Sequence, residues 1–259
     1  MGIASLEDLF MSDDVATNQA PAAPAAQSFW SRWLGVYVSP GQTFQDIARQ
    51  PDFIFPLIAS IVSALVFTEV MLGKIGMEQI IRNSIAQSGR TITAEQVQQA
   101  VQAGATIGIV ISHVMALVGS PIYLAIVAAL ALLIINAIYG GAVNFKTAFS
   151  VACYTNLVNV LAVLMALPMI WFGAPERFNP NNPMPTNVGF FLSPLETSKG
   201  VMAIAGSIDL FSFWFIALLG IGYSAATGGK VKPLSIAGFY FGIWLVLVLG
   251  KVGLALIMS

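Results

Sequence analysis

The sequence predicts an all-α integral membrane protein with five transmembrane helices, the second of them long and kinked. Two observations carry that prediction. The first is composition: of 259 residues, 57% are hydrophobic and only 9% charged, where soluble domains carry roughly 45–50% and about 25%. The second is pattern. Five apolar runs, Phe53–Leu72, Thr106–Tyr139, Ala148–Phe172, Val201–Ala226 and Leu234–Ile257, are joined by polar connectors. Each is long enough for a hydrocarbon core about 30 Å thick, which takes roughly 20 apolar residues. A soluble fold would instead need very large helices that are apolar all round.

Residues 1–28 read as a flexible N-terminal arm, acidic at Glu7, Asp8, Asp13 and Asp14 and then rich in Ala and Pro. Its lack of a basic start and apolar stretch predicts no cleavable signal, so insertion falls to the first span. Leu6 occupies the position where a myristoylation motif needs Ser or Thr.

Residues 29–52 form an interfacial segment and a short amphipathic helix. Trp30, Trp33 and Tyr37 suit the headgroup region. Pro40 opens the helix and Pro51 closes it, with Phe44, Ile47 and Ala48 on one side.

Residues 53–259 hold the five spans. After the first come about thirty mostly polar residues. MEQIIRNSIAQ and TAEQVQQAVQ both have helical periodicity, and Thr93 with Gln96 resembles a capping box, which predicts an extramembrane helical hairpin. Gly119-Ser120-Pro121 interrupts the second run, but neither half spans a bilayer alone, so the expectation is one kinked, protruding helix. Five prolines between Gly173 and Gly200 predict an irregular connector. ATGGKVKP is a tight turn, with Pro233 placed to begin the last helix.

Three groups of residues stand out as candidate sites. Gly104, Gly108, Ser112, Ala116 and Ser120 make a small-residue row on the second span, and Gly238, Gly242 and Gly250 make another on the fifth. Such rows let helix backbones approach, within one bundle or between copies of the chain. Asn156 and Asn159 share a face of the third span, and their amides call for interhelical partners. Counted along helices from the inner ends, Glu69, Asp209 and Lys251 lie at about 24, 21 and 26 Å. That depth makes a candidate intramembrane polar layer in which Asp209 and Lys251 could pair, while Glu69 and Lys251 could also snorkel to the interface. The chain's one histidine, His113, counts out to about 39 Å, beyond that layer.

Nothing in the motifs points to catalysis, a cofactor or a metal. HExxH and GxSxG are absent, and Gly228-Gly229-Lys230 is followed by Val231, so it is no P-loop. The single cysteine, Cys153, excludes an intrachain disulfide and a Cys-based metal site. A net charge of −1 argues against a nucleic-acid partner. The implied partners are the bilayer, other membrane proteins and a second copy of the chain.

Three stretches resemble the Yip family: SPGQTFQDIARQPDFIFPL, IYGGAVNFKTAFSVACYTNLVNVL and SIDLFSFWFIALLGIGYSAATGGKVKPLSIAG. The best local pieces are Pro40, Phe44 and Pro51, then Gly140-Gly141 with Phe145-Lys146, then Asp209-Leu210-Phe211 with Trp214 and Gly220. The resemblance runs from about Ser39 to the C-terminus. It implies a five-span, non-enzymatic membrane protein with its N-terminus in the cytoplasm. In eukaryotic members it also implies Ypt/Rab GTPase partners and early secretory traffic, whereas the long connectors here look like the bacterial type. The expected role is therefore a scaffold, assembly or membrane-organisation factor in a bacterial cytoplasmic membrane. The alternative is a transporter or transporter subunit that uses the Glu69, Asp209 and Lys251 layer.

Overall fold

A computed structural model describes residues 27–88 and 92–257; the arm expected over residues 1–28 lies almost wholly outside them. Two short helices come first. Ser28 caps α1 (Phe29–Val38) by accepting the Ser31 N–H at 3.2 Å, and Pro40 starts α2 (Pro40–Arg49). Thr43, Phe44 and Ile47 are the buried face of α2. Gly35 lets the two helices touch, because a Cβ there would collide with the Thr43 side chain.

Among the described residues, four helical segments are long and apolar enough to cross a membrane: Ile54–Lys74, Ala94–Ile138, Phe145–Phe172 and Pro233–Ile257. The first is α3 (Ile54–Lys74). It ends at Gly76, whose φ of +82° turns the chain into α4 (Met77–Ser88). The second begins earlier than the apolar run suggests. The Thr93–Gln96 capping box is complete, and α5 (Ala94–Leu132) proceeds from it without a break. The second arm of the expected hairpin and the second span are thus one helix, since no residue between Gln96 and Thr106 stops helical propagation. Helix continues through Gly119-Ser120-Pro121, and the last turn, Leu133–Ile138, relaxes to π-helical bonding.

Asn136 then clamps the following turn, donating to the Val143 carbonyl at 2.8 Å and accepting from the Val143 N–H at 3.0 Å. Asn144 caps α6 (Phe145–Thr155), and Asn156 separates it from α7 (Leu157–Phe172). Every residue of α6 from Thr147 to Thr155 is buried, so α6 is the central element. It is packed by α1, α2, α3, α5 and α9.

The fourth apolar run is not the single helix expected over Val201–Ala226. It divides into α8 (Lys199–Ala205) and α9 (Leu210–Ala226), and α9 alone is about 25 Å long. The Pro-rich connector causes the division. Val188 N–H donates to the Ile208 carbonyl and Leu210 N–H to the Thr186 carbonyl, forming a short antiparallel bridge at Asn187 and Asp209. Backbone groups released by the break are thereby paired, which an apolar setting demands. A tight turn with Gly228 and Gly229 at φ +64° and +79° leads into α10 (Pro233–Ile257).

Three tyrosine hydroxyls strap the bundle by donating to helix carbonyls. Tyr37 reaches Leu157 at 2.7 Å, Tyr223 reaches Ala148 at 3.0 Å, and Tyr240 reaches Val127 at 2.6 Å. Each joins two helices distant in sequence, and each satisfies a buried phenol that would otherwise be costly.

Candidate functional site

The most concentrated polar chemistry lies where α1 and α2 meet the bundle. Arg32 projects from the aromatic stretch FWSRWLGVYV, and its side chain is only 2% exposed. A buried guanidinium must find acceptors for its fork of donors. Its Nε donates to Asp46 Oδ2 at 2.7 Å, and Nη1 donates to the Gln50 carbonyl at 3.1 Å and to Asp52 Oδ2. Tyr154 of α6 completes the group, its hydroxyl donating to Asp52 Oδ1 at 3.0 Å. The Gln27 N–H adds a 3.3 Å bond to Asp46. One arginine therefore ties α1, the end of α2, the start of α3 and the central helix together.

Burial works against the Arg32 charge. The hydrogen bonds to Asp46 and Tyr154, with the charges of Asp46 and Asp52, outweigh it and hold the group above its ordinary value. Nearby, burial pushes the Tyr37 phenol up to about 12. Asp46 and Asp52 are each engaged by the arginine, and the Tyr154 hydroxyl is engaged by Asp52. Sequence reading placed Arg32, Asp46 and Asp52 only in an interfacial segment. A signal existed, since Asp46 and Asp52 are the only carboxylates between Asp14 and Glu69, and a lone arginine among aromatics needs them.

The expected polar layer does not assemble. Asp209 caps α9 by accepting the Ser212 N–H at 2.9 Å, and its other oxygen accepts from the Thr186 hydroxyl. Lys251 is exposed on α10 and makes no ion pair with a described residue, Asp209 included. Glu69 pairs instead with His113, Nε2 to Oε1 at 2.8 Å, while His113 Nδ1 lies 2.8 Å from the Ile109 carbonyl. That carbonyl can only accept, so Nδ1 carries a hydrogen and the second contact shares a proton between imidazole and carboxylate. Counting depth from helix ends misplaced His113 because it assumed that the ends of α3 and α5 are level.

Asn156 donates to Ser60 Oγ of α3 at 2.9 Å, and Asn159 donates to Asn156 Oδ1 at 2.8 Å. The small-residue rows divide. A Cβ on Gly104 would meet Ile81 at 3.2 Å and one on Gly108 would meet Met77 at 2.8 Å, so that row seats α4 on α5. Ser112 turns its hydroxyl back to the Gly108 carbonyl at 2.8 Å. Gly238, Gly242 and Gly250 face open space and form no seam within the bundle. The reason is register: α10 buries Ile236 and Tyr240, and residues two positions on point to the opposite side. The close approach of α9 and α10 falls at Gly220, where a Cβ would lie 2.6 Å from the Pro233 carbonyl. Gly222 serves α6 and α2 in the same way, against Val151 and Phe44.

At the opposite end the Pro-rich connector is fixed by neutral amides. Asn83 of α4 donates to the Pro175 and Phe178 carbonyls, both at 2.9 Å. Buried Asn187 exchanges bonds with Asn182 at 2.9 and 2.7 Å, donates to the Met184 carbonyl and accepts the Phe190 N–H. Among the described residues no three His, Cys, Asp or Glu side chains gather as a metal site.

Comparison with known proteins finds one family: residues 34–255 match the Yip1 domain. No curated protein and no solved structure matches the chain.

Proposed function

The chain belongs to the Yip1-domain family, and from that premise we propose a non-enzymatic scaffold or assembly factor of the Yip type that binds other membrane proteins. The supporting observation is how its polar groups are spent. Arg32, Asp46 and Asp52 lock the short helices, Asp209 caps α9, and Asn156 joins α7 to α3. A transporter built on Glu69, Asp209 and Lys251 would need them in one place, and each has a separate setting. In this reading α9 makes a fifth crossing, with α8 and the connector completing its length.

The proposed setting is a bacterial cytoplasmic membrane, N-terminus in the cytoplasm and C-terminus outside. Lys146, Lys230 and Lys232 flank the two short turns at the α1–α2 end, which suits the cytoplasmic side. Affinity purification of the full chain in a mild detergent tests the role. A stoichiometric membrane-protein partner is the expected recovery, and repeated recovery of the chain alone would overturn the scaffold reading.

A further inference from the structure

Asp46 and Asp52 are both engaged by Arg32. Arg49, Lys230 and Lys232, at the same end, are exposed and have no ion-pair partner among the described residues. Arg49 lines a cleft of about 710 Å³ between the last turns of α2 and the turn joining α9 to α10, and Lys230 and Lys232 belong to that turn. Arg49 lines one side. Gly228, Gly229 and Pro233 line the other, with Lys230 and Lys232 lying between them in the chain. The two glycines hold positive φ and put no side chain in the mouth.

The carbonyl ends of α2 and α9 approach the same place. Those of α9 are already paired, accepting from the N–H groups of Thr227, Gly228 and Gly229. Arg49 is the one charged side chain among the lining residues, and Lys230 and Lys232, in the adjoining turn, add positive charge beside it. Its walls are mixed: Ala48, Ile221 and Ala225 are apolar, and Gln45 is polar. A cleft with a cation on its wall, two more in the adjoining turn and a partly apolar lining, at the ends of membrane-length apolar helices, fits a phosphate that carries an acyl tail better than a free anion.

We propose that this cleft binds the phosphodiester headgroup of an anionic glycerophospholipid. Arg49, Lys230 and Lys232 hold the phosphate, and the glycerol and first methylenes lie along Ile221 and Ala225. The site is independent of the scaffold reading and of which way the chain faces.

Native mass spectrometry of the full chain in detergent, titrated with dioctanoyl phosphatidylglycerol or dioctanoyl phosphatidylcholine, tests it. The phosphatidylglycerol Kd should be at least tenfold lower. Arg49→Gln/Lys230→Gln/Lys232→Gln should erase that preference, and the charge-preserving Arg49→Lys/Lys230→Arg/Lys232→Arg should keep it. Gln45→Trp, which fills the cleft and leaves every cation in place, should also weaken phosphatidylglycerol at least tenfold. All these side chains are exposed, and thermal unfolding of each variant in detergent checks that the fold is kept. Equal Kd values for the two lipids, or full binding by the triple-glutamine or Gln45→Trp variant, would overturn the proposal. So would displacement of the lipid by inorganic phosphate at the same concentration, which would mark a free-anion site.

Discussion

The two ends of the bundle each hold a non-spanning segment in place, and they do it with opposite chemistry. At one end Arg32 alone gathers Asp46, Asp52 and the Gln50 carbonyl. At the other, Asn83, Asn182 and Asn187 hold the connector through neutral bonds spread over several carbonyls. A charged lock concentrates its strength in one side chain, and removing that side chain leaves the largely buried Asp46 without its counter-ion. A neutral amide network has no such residue, and its failure is graded. The contrast matches position: the charged lock joins elements up to 122 residues apart, from Arg32 to Tyr154, whereas Asn187 fixes mainly its own connector.

The sharpest way to break this comparison is Arg32→Met. It leaves Asp46 largely buried without its counter-ion and should cost about 3 kcal/mol, the low end for a broken buried pair because Asp52 is half-exposed. Thermal unfolding in detergent reads the loss, and a variant that melts with the wild type would refute the concentrated lock. Arg32→Lys should recover only part of the loss, since an ammonium cannot reproduce the guanidinium fork.

Asn187→Ala should cost less, about 2 kcal/mol, and act locally. Limited proteolysis is the informative readout: cleavage between Gly173 and Gly200 should accelerate while the rest of the chain stays resistant. Cleavage spreading equally into α1 and α2 would show that the two ends are not separate.

The smallest effect belongs to Tyr37. Its folded phenol sits near 12 against an ordinary value of 10. The folded state therefore holds the proton more tightly, and the contribution is complete below pH 10 and lost as pH rises through 12. Comparing the wild type with Tyr37→Phe between pH 9 and 12 isolates it. The wild type should lose stability more steeply across that interval, and parallel curves would refute the burial of the Tyr37 phenol between α1 and α7.

How much of this was legible depended on the range of the signal. Proline and capping signals are local, so α2 between Pro40 and Pro51 and the start of α5 at Thr93 could be read directly. The break at Asp209 was harder. Aspartate ahead of an apolar run is an N-cap signal, but here the residues on both sides were apolar enough to read as one run, and the bridging partner is more than twenty residues away. The lock at Arg32 was harder again, since its partners follow no helical period. The sequence places Glu69, Asp209 and Lys251 only at a similar depth, and a depth counted along each helix says nothing of how the helices slide past one another, so the contact of Glu69 with His113 was not legible.

The burial of α6 from Thr147 to Thr155 has a consequence for how the molecule is made. α9, which begins about fifty residues after α6 ends, covers α6 through the Tyr223 hydroxyl on the Ala148 carbonyl and through Gly222 against Val151. At roughly 5–20 residues per second of synthesis, α6 exists for several seconds before α9 can cover it. During that interval the face of α6 at Ala148 and Val151 lacks its cover, while Asn156 already has Ser60 of α3 as its partner. α9 is thus the late-translated helix that closes this face of the centre, and assembly of the core waits on it.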